Sequence, residues 1–122
     1  DGWVLVGDAY GFLDPVYSSG VFLALKSGEM AADAVIDGLA NDDLSGDCLE
    51  RFQNEYLRGM ESIRKLVYAF YVKDFNFGRF LSAHPDCTQG IIDILSGNVY
   101  REDVSAIFGP MSKMCELPDS AW

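Results

Sequence analysis

The residues of this sequence whose types and spacing could do chemistry lie near its start, in Gly7-Asp8, Asp14-Pro15 and Ser18-Ser19-Gly20-Val21. An acidic side chain just past an apolar run can accept hydrogen bonds from the hydroxyls of a sugar or sugar alcohol. Open α/β sheets place ligands at that point, off the carboxyl ends of their strands. Pro15 sets the direction of the chain into a helix, Ser18 or Ser19 can cap that helix, and Gly20 lets a ligand approach the backbone. The N–H groups of the helix start, with the positive end of its dipole, favour a group that is anionic or becomes so. Each piece alone is an ordinary turn, helix entry or cap. Occurring in order within about 30 residues, the compass of one supersecondary unit, they point to a binding segment.

The other candidates carry less. Cys48, Cys87 and Cys115 are widely spaced and His84 is the single histidine, so a structural zinc site fails on ligand supply. Cys87 lies three residues from His84, but buried or indifferent thiols in a reducing cytoplasm are the ordinary reading. No G-x-S-x-G surrounds Ser18, Ser19 or Ser27. Asp42, Asp43 and Asp47 lack the ligand order of a calcium loop and read as a solvated acidic turn. The aromatic residues from Tyr68 to Phe80 could line a channel, although at helical spacing they read as core, and Met111 and Met114 read as gap-fillers.

The elements that must position the binding segment follow from periodicity. Trp3-Val4-Leu5-Val6 reads as a short buried strand ended by Gly7-Asp8. Residues 18–39 read as a helix with Val21, Leu25, Gly28, Ala32, Val35, Ile36 and Leu39 inward and Lys26, Glu29, Asp33 and Asp37 outward. A loop at 41–46 leads to a long helix over 47–73, opened by Asp47 with Glu50 as an acidic capping box and supported by a Glu61–Lys65 pair. Its stripe is Leu49, Phe52, Tyr56, Ile63, Val67 and Phe70, and its end, Leu66 to Val72, is apolar all round and must be covered. A turn at Asn76-Phe77-Gly78, a short helical stretch over 79–83, a helix over 86–96 opened at Pro85 and stopped by Gly97, and a last helix over 102–108 closed by Gly109-Pro110 complete the chain. The fold class expected is mostly α with one short strand.

Composition bounds the function. The 122 residues are 49% hydrophobic and 13% aromatic, enough for a core, and Lys+Arg 9 against Asp+Glu 19 gives a formal charge of −10. Such a chain is unsuited to nucleic acid and to anionic lipid surfaces, and no apolar run reaches the roughly 20 residues of a bilayer span. A soluble, cytoplasmic protein is the expectation.

Trp3 to Leu39 resembles the second flavin-contacting motif of FAD-dependent monooxygenases, Gly-Asp-Ala…Pro…Gly before a long helix. Asp14-Pro15-Val16-Tyr17-Ser18-Ser19-Gly20-Val21 is similar to the FADH2-dependent halogenases, the tryptophan-halogenase-like family, and Ile94 to Asp103 looks like its helical C-terminal part. The resemblance implies that the chain is a C-terminal piece of an α+β flavoprotein of monooxygenase type. Residues 1–40 would then end the FAD-binding domain and 41–122 form a helical region. It implies FAD as cofactor, with Gly7 and Asp8 at the ribityl chain, Pro15 to Val21 beside the ring, and Ser19 and Gly20 supplying backbone contacts to halide. No G-x-G-x-x-G occurs, so the pyrophosphate side of the site is expected in an N-terminal portion of the same protein, as are the catalytic residues. The partners implied are that portion and a small-molecule substrate, and the piece alone is expected to self-associate. A flavin hydroxylase or prenyl reductase relative, or a non-catalytic helical packing or dimerisation module, stands as the alternative.

Overall fold

Among residues 2–120, which the computed structural model describes, every regular element is helical. The helices are α1 (Gly20–Ala40), α2 (Gly46–Leu49), α3 (Arg51–Tyr71), α4 (Phe77–Ala83), α5 (Thr88–Leu95) and α6 (Phe108–Met111). Short 3₁₀ turns at Gly7–Ala9, Pro15–Tyr17, Pro85–Cys87 and Glu102–Ile107 punctuate them. The chain divides into two compact units, one running to Leu57 and the other from Arg58.

The expected strand at Trp3–Val6 is absent. Val6 is extended at φ −138, ψ 163, but extension makes a strand only when a neighbouring backbone pairs with it. Here Gly2 N–H bonds the Leu44 carbonyl at 3.3 Å, no ladder follows, and Trp3, Leu5 and Val6 stay exposed.

In the first unit α1 forms as its periodicity predicts, but the face it buries is not the expected one. Leu23, Ser27, Met30, Ala31 and Gly38 point inward, whereas Val21 and Leu25 are 74% and 71% exposed and Ile36 and Leu39 are exposed as well. The helix is apolar on more than one side, and the small-residue side fits closely against Gly7–Ala9 and α2. Gly38 is tight: a Cβ there would lie 2.6 Å from the Asp43 carbonyl oxygen. Asn41 N–H and Asp43 N–H close the helix end on Asp37 and Gly38 carbonyls.

The second helix is split. Ser45, not Asp47, caps it, its hydroxyl accepting from Cys48 N–H at 3.3 Å. The regular helix lapses at Glu50, where Gln53 N–H bonds the Glu50 carbonyl in a tighter 3₁₀ pattern before α3 runs on. Leu49, Phe52 and Tyr56 are buried in the first unit as expected.

The second unit is built on the remainder of α3. Met60, Ile63, Leu66, Val67 and Ala69 are buried, but Phe70 is half exposed, as are Tyr68 and Tyr71, so these three are surface rather than core. Glu61 pairs with Arg64 at 2.7 Å instead of Lys65, whose ammonium lies over the Phe108 ring. Arg64 also bonds the Asp119 carbonyl, tying the C-terminal segment to α3. Asn76 caps α4 by accepting from Arg79 N–H, so Phe77 and Gly78 join the helix instead of the expected turn, and Gly97 at φ +85 ends α5 as its sequence predicts. The segment over 102–108 winds as 3₁₀ rather than α, and Gly109-Pro110 lies inside α6, where a first-turn proline needs no N–H. Met111 is buried, whereas Met114 is exposed.

Because the obstacle at Gly38 is a backbone oxygen, Gly38→Ala cannot be relieved by a side-chain rotation. It is expected to lower the stability of the chain by about 1–3 kcal/mol, read as a shift of the denaturant midpoint.

Candidate functional site

The binding segment begins on a left-handed residue. Gly7 has φ +58, a region that any side chain would strain, and a Cβ there would meet the Ala24 Cβ at 3.4 Å. Its N–H donates to the Ser27 hydroxyl at 2.8 Å, and its carbonyl accepts from Tyr10 N–H at 3.0 Å and Gly11 N–H at 3.2 Å. The turn Gly7–Ala9 is thereby seated on α1. Asp8, its middle residue, is exposed.

Tyr10 closes the turn and packs its ring edge-on to Tyr56 at 5.2 Å and tilted to Phe52 at 6.3 Å. Burial pushes both phenols up, with the Glu50 charge adding to the shift at Tyr10. They stay protonated at neutral pH and serve as an aromatic wall rather than as acids, with the Tyr56 phenol donating to the Leu23 carbonyl at 3.4 Å.

The second part of the segment is a compact bend. Asp14 accepts from Val16 N–H at 3.1 Å, Pro15 opens the 3₁₀ turn Pro15–Tyr17, and Ser18 N–H closes on the Pro15 carbonyl at 2.8 Å. Ser18 takes φ +55, a conformation that costs a non-glycine residue about 1–2 kcal/mol. Ser19 occupies the N-cap position of α1 but makes no side-chain capping bond, so neither serine caps as expected. The first ladder bond of α1 runs from Leu23 N–H to the Ser19 carbonyl at 2.9 Å, so the N–H groups of residues 20–22 have no partner inside the helix. Gly20 and Val21 are exposed, and a Cβ on Gly20 would meet nothing within 4 Å.

All seven expected site residues therefore lie in the first unit. Gly7 and Asp8 sit beside α1 at the level of Ala24, roughly one helical turn from its start at Gly20. The residues fit a polyhydroxylated, partly anionic ligand: an exposed carboxylate on a seated turn, and near it an open helix start whose N–H groups and dipole attract negative charge. Sequence reasoning missed Ser27 and Tyr56. Ser27 falls on the register Leu23, Ser27, Ala31, and a hydroxyl on a buried helix face was the available signal.

Elsewhere, His84 packs against Phe80 at 5.3 Å and the three thiols are buried. Among the described residues no His, Cys, Asp or Glu cluster is arranged to hold a metal, and no helix is long and apolar enough to cross a membrane. In the 41–46 loop, Asp43 accepts from Ser45 N–H at 3.0 Å, and the Ser45 hydrogen bonds hold its carboxyl below the usual range.

Residues 1–102 match the tryptophan halogenase family, a span that includes the whole binding segment. The chain belongs to that family. It is similar to the 1H-pyrrole-2-carbonyl (peptidyl-carrier protein) chlorinase of Pseudomonas fluorescens, 31% identical over 82% of this chain and 22% of that protein. It is also similar to the corresponding brominase of Pseudoalteromonas luteoviolacea, 32% identical over 80% of this chain and 23% of the brominase. A flavin-dependent halogenase of Acremonium egyptiacum is 32% identical over 83% of this chain and 21% of its own length. The chain thus spans about a fifth of the curated relatives it matches. No solved structure matches it significantly.

Burial raises the thiols of Cys87 and Cys115, the former helped by the Asp86 charge, so the thiolate fraction near neutral pH is reduced. Alkylation of the folded chain is expected to be at least about tenfold slower than after unfolding, checked by mass spectrometry of iodoacetamide-treated protein.

Proposed function

We propose that this chain forms the ribityl and ring side of the FAD site of a flavin-dependent halogenase. The observation that carries the reading is the pairing of an exposed carboxylate on a turn seated on α1 with the open start of the same helix. Family membership supports it and supplies the class of cofactor. The Asp8 carboxylate accepts from a ribityl hydroxyl. The α1 start, from Ser19 to Val21, lies beside the ring and favours negative charge there, with N–H groups fixed in direction before any charge develops. When bound, the reduced flavin supplies the oxidising power by consuming O2. The chain's own residues bind and orient, and Ser19 and Gly20 hold a halide by their backbone. The substrate class is an electron-rich small aromatic molecule such as a phenol, pyrrole or indole.

An N-terminal portion of the same protein supplies the pyrophosphate side of the site and packs on the outward apolar stripe of α1, Val21, Leu25, Ile36 and Leu39. Three buried free thiols suit a reducing cytoplasm. By itself the 122-residue chain holds half a site. It is expected to bind FAD weaker than micromolar in a titration, since association costs at least several kcal/mol. It is also expected to scatter light as a dimer or larger species at micromolar concentration; a clean monomer would count against the covered-stripe argument.

In the full-length enzyme, Asp8→Ala is expected to weaken FAD binding by about 1–3 kcal/mol, the scale of a lost charged hydrogen bond. Unchanged affinity would overturn the site. Gly20→Val adds its side chain to open space and so spares the fold, but it crowds the halide and lowers halogenation more than flavin oxidation. The deciding assay is turnover of a phenol, pyrrole and indole panel with FADH2 and O2, with and without bromide. Brominated product is expected; oxygenated or reduced product without halogen would replace the halogenase by a hydroxylase or reductase and leave the flavin site standing.

A further inference from the structure

We propose that Ser27 is a positioning residue for Asp8: its buried hydroxyl accepts the Gly7 N–H, seats the Gly7–Asp8 turn and so sets the affinity for flavin. The inference rests on the flavin-site reading and names the groups that tune it. Ser27 is 0% exposed in the body of α1. Its hydroxyl donates to the Ala24 carbonyl at 3.0 Å, the back-bonding usual for a helical serine. An alanine would serve the helix better, so helix formation does not explain the hydroxyl.

The lone pairs it keeps do have a use. One accepts the Gly7 N–H at 2.8 Å, a contact across twenty residues of sequence. Tyr56, also 0% exposed, donates to the Leu23 carbonyl at 3.4 Å, so α3 is tied to α1 one turn before the Ser27 acceptor. The Tyr10 ring, on the same turn as Asp8, stacks edge-on against Tyr56. The turn is thus held at its first residue by Ser27 and at its end by Tyr10, with Asp8 between. Losing the acceptor frees Gly7, the one residue of the turn with full left-handed freedom. Asp8 is then spread over more positions and must be ordered on binding.

The test is FAD titration of the full-length protein carrying Ser27→Ala, Asp8→Ala and both. Ser27→Ala is expected to weaken FAD about two- to tenfold, and to add nothing in the Asp8→Ala background. Its kinetic effect falls mainly on the KM for reduced flavin, with a smaller loss in kcat. Ser27→Cys keeps most of the volume with a weaker acceptor, and shows the same coupling if Ser27→Ala does not fold. Equal losses in both Asp8 backgrounds, or wild-type affinity in a folded Ser27 variant, overturn the proposal and leave the flavin site intact. No effect of Asp8→Ala alone overturns the flavin-site reading instead.

Discussion

The hydrogen bond from Gly7 N–H to the Ser27 hydroxyl is the contact on which the arrangement of the first unit turns. A neutral hydrogen bond contributes only about 1 kcal/mol net, but its loss leaves a polar group without a partner in a closely packed place. Here it joins the irregular segment before α1 to the body of that helix, and Gly7 is the residue able to take the left-handed conformation the contact requires. Asp8, Tyr10 and the bend at Pro15–Tyr17 all inherit their positions from it or lie between it and the start of α1.

The packing of α1 explains why that contact forms. A helix apolar on several sides can bury any of them, and the side chosen is the one that lets backbone approach most closely. Ala24, Ser27, Ala31 and Gly38 bring Gly7–Ala9 and α2 against the helix, while the bulkier Val21, Leu25, Ile36 and Leu39 face outward. Close approach makes hydrogen bonding between helix and turn available, which a large side chain at residue 24 or 27 would prevent.

The second unit uses charge where the first uses small residues. Asp93 is buried and accepts from Gln89 at 3.1 Å, Asn98 at 3.4 Å and Arg101 at 3.1 Å, which fixes the bend after α5. Arg64 is buried and held by both oxygens of Glu61 and by the Asp119 carbonyl. Both of these buried charges are paired with an opposite charge, as the cost of an unpaired one demands.

Much was determined by the sequence itself. The helical character of 20–40, 51–71 and 88–95 and the stop at Gly97 follow from local periodicity and backbone preference, whereas Pro85 opens a 3₁₀ turn before α5 and neither Ser18 nor Ser19 caps α1. Periodicity and backbone preference are short-range effects, legible within a few turns. The tertiary structure decided the rest. It chose which face of α1 is inside and left Trp3–Val6 without a ladder. It paired Glu61 with Arg64 instead of Lys65 and placed Ser27 and Tyr56 under the turn. Those outcomes depend on what lies opposite each residue across long stretches of chain. Periodicity says that a face is apolar; only the neighbour that arrives decides whether it is buried and which hydroxyl beneath it finds a donor.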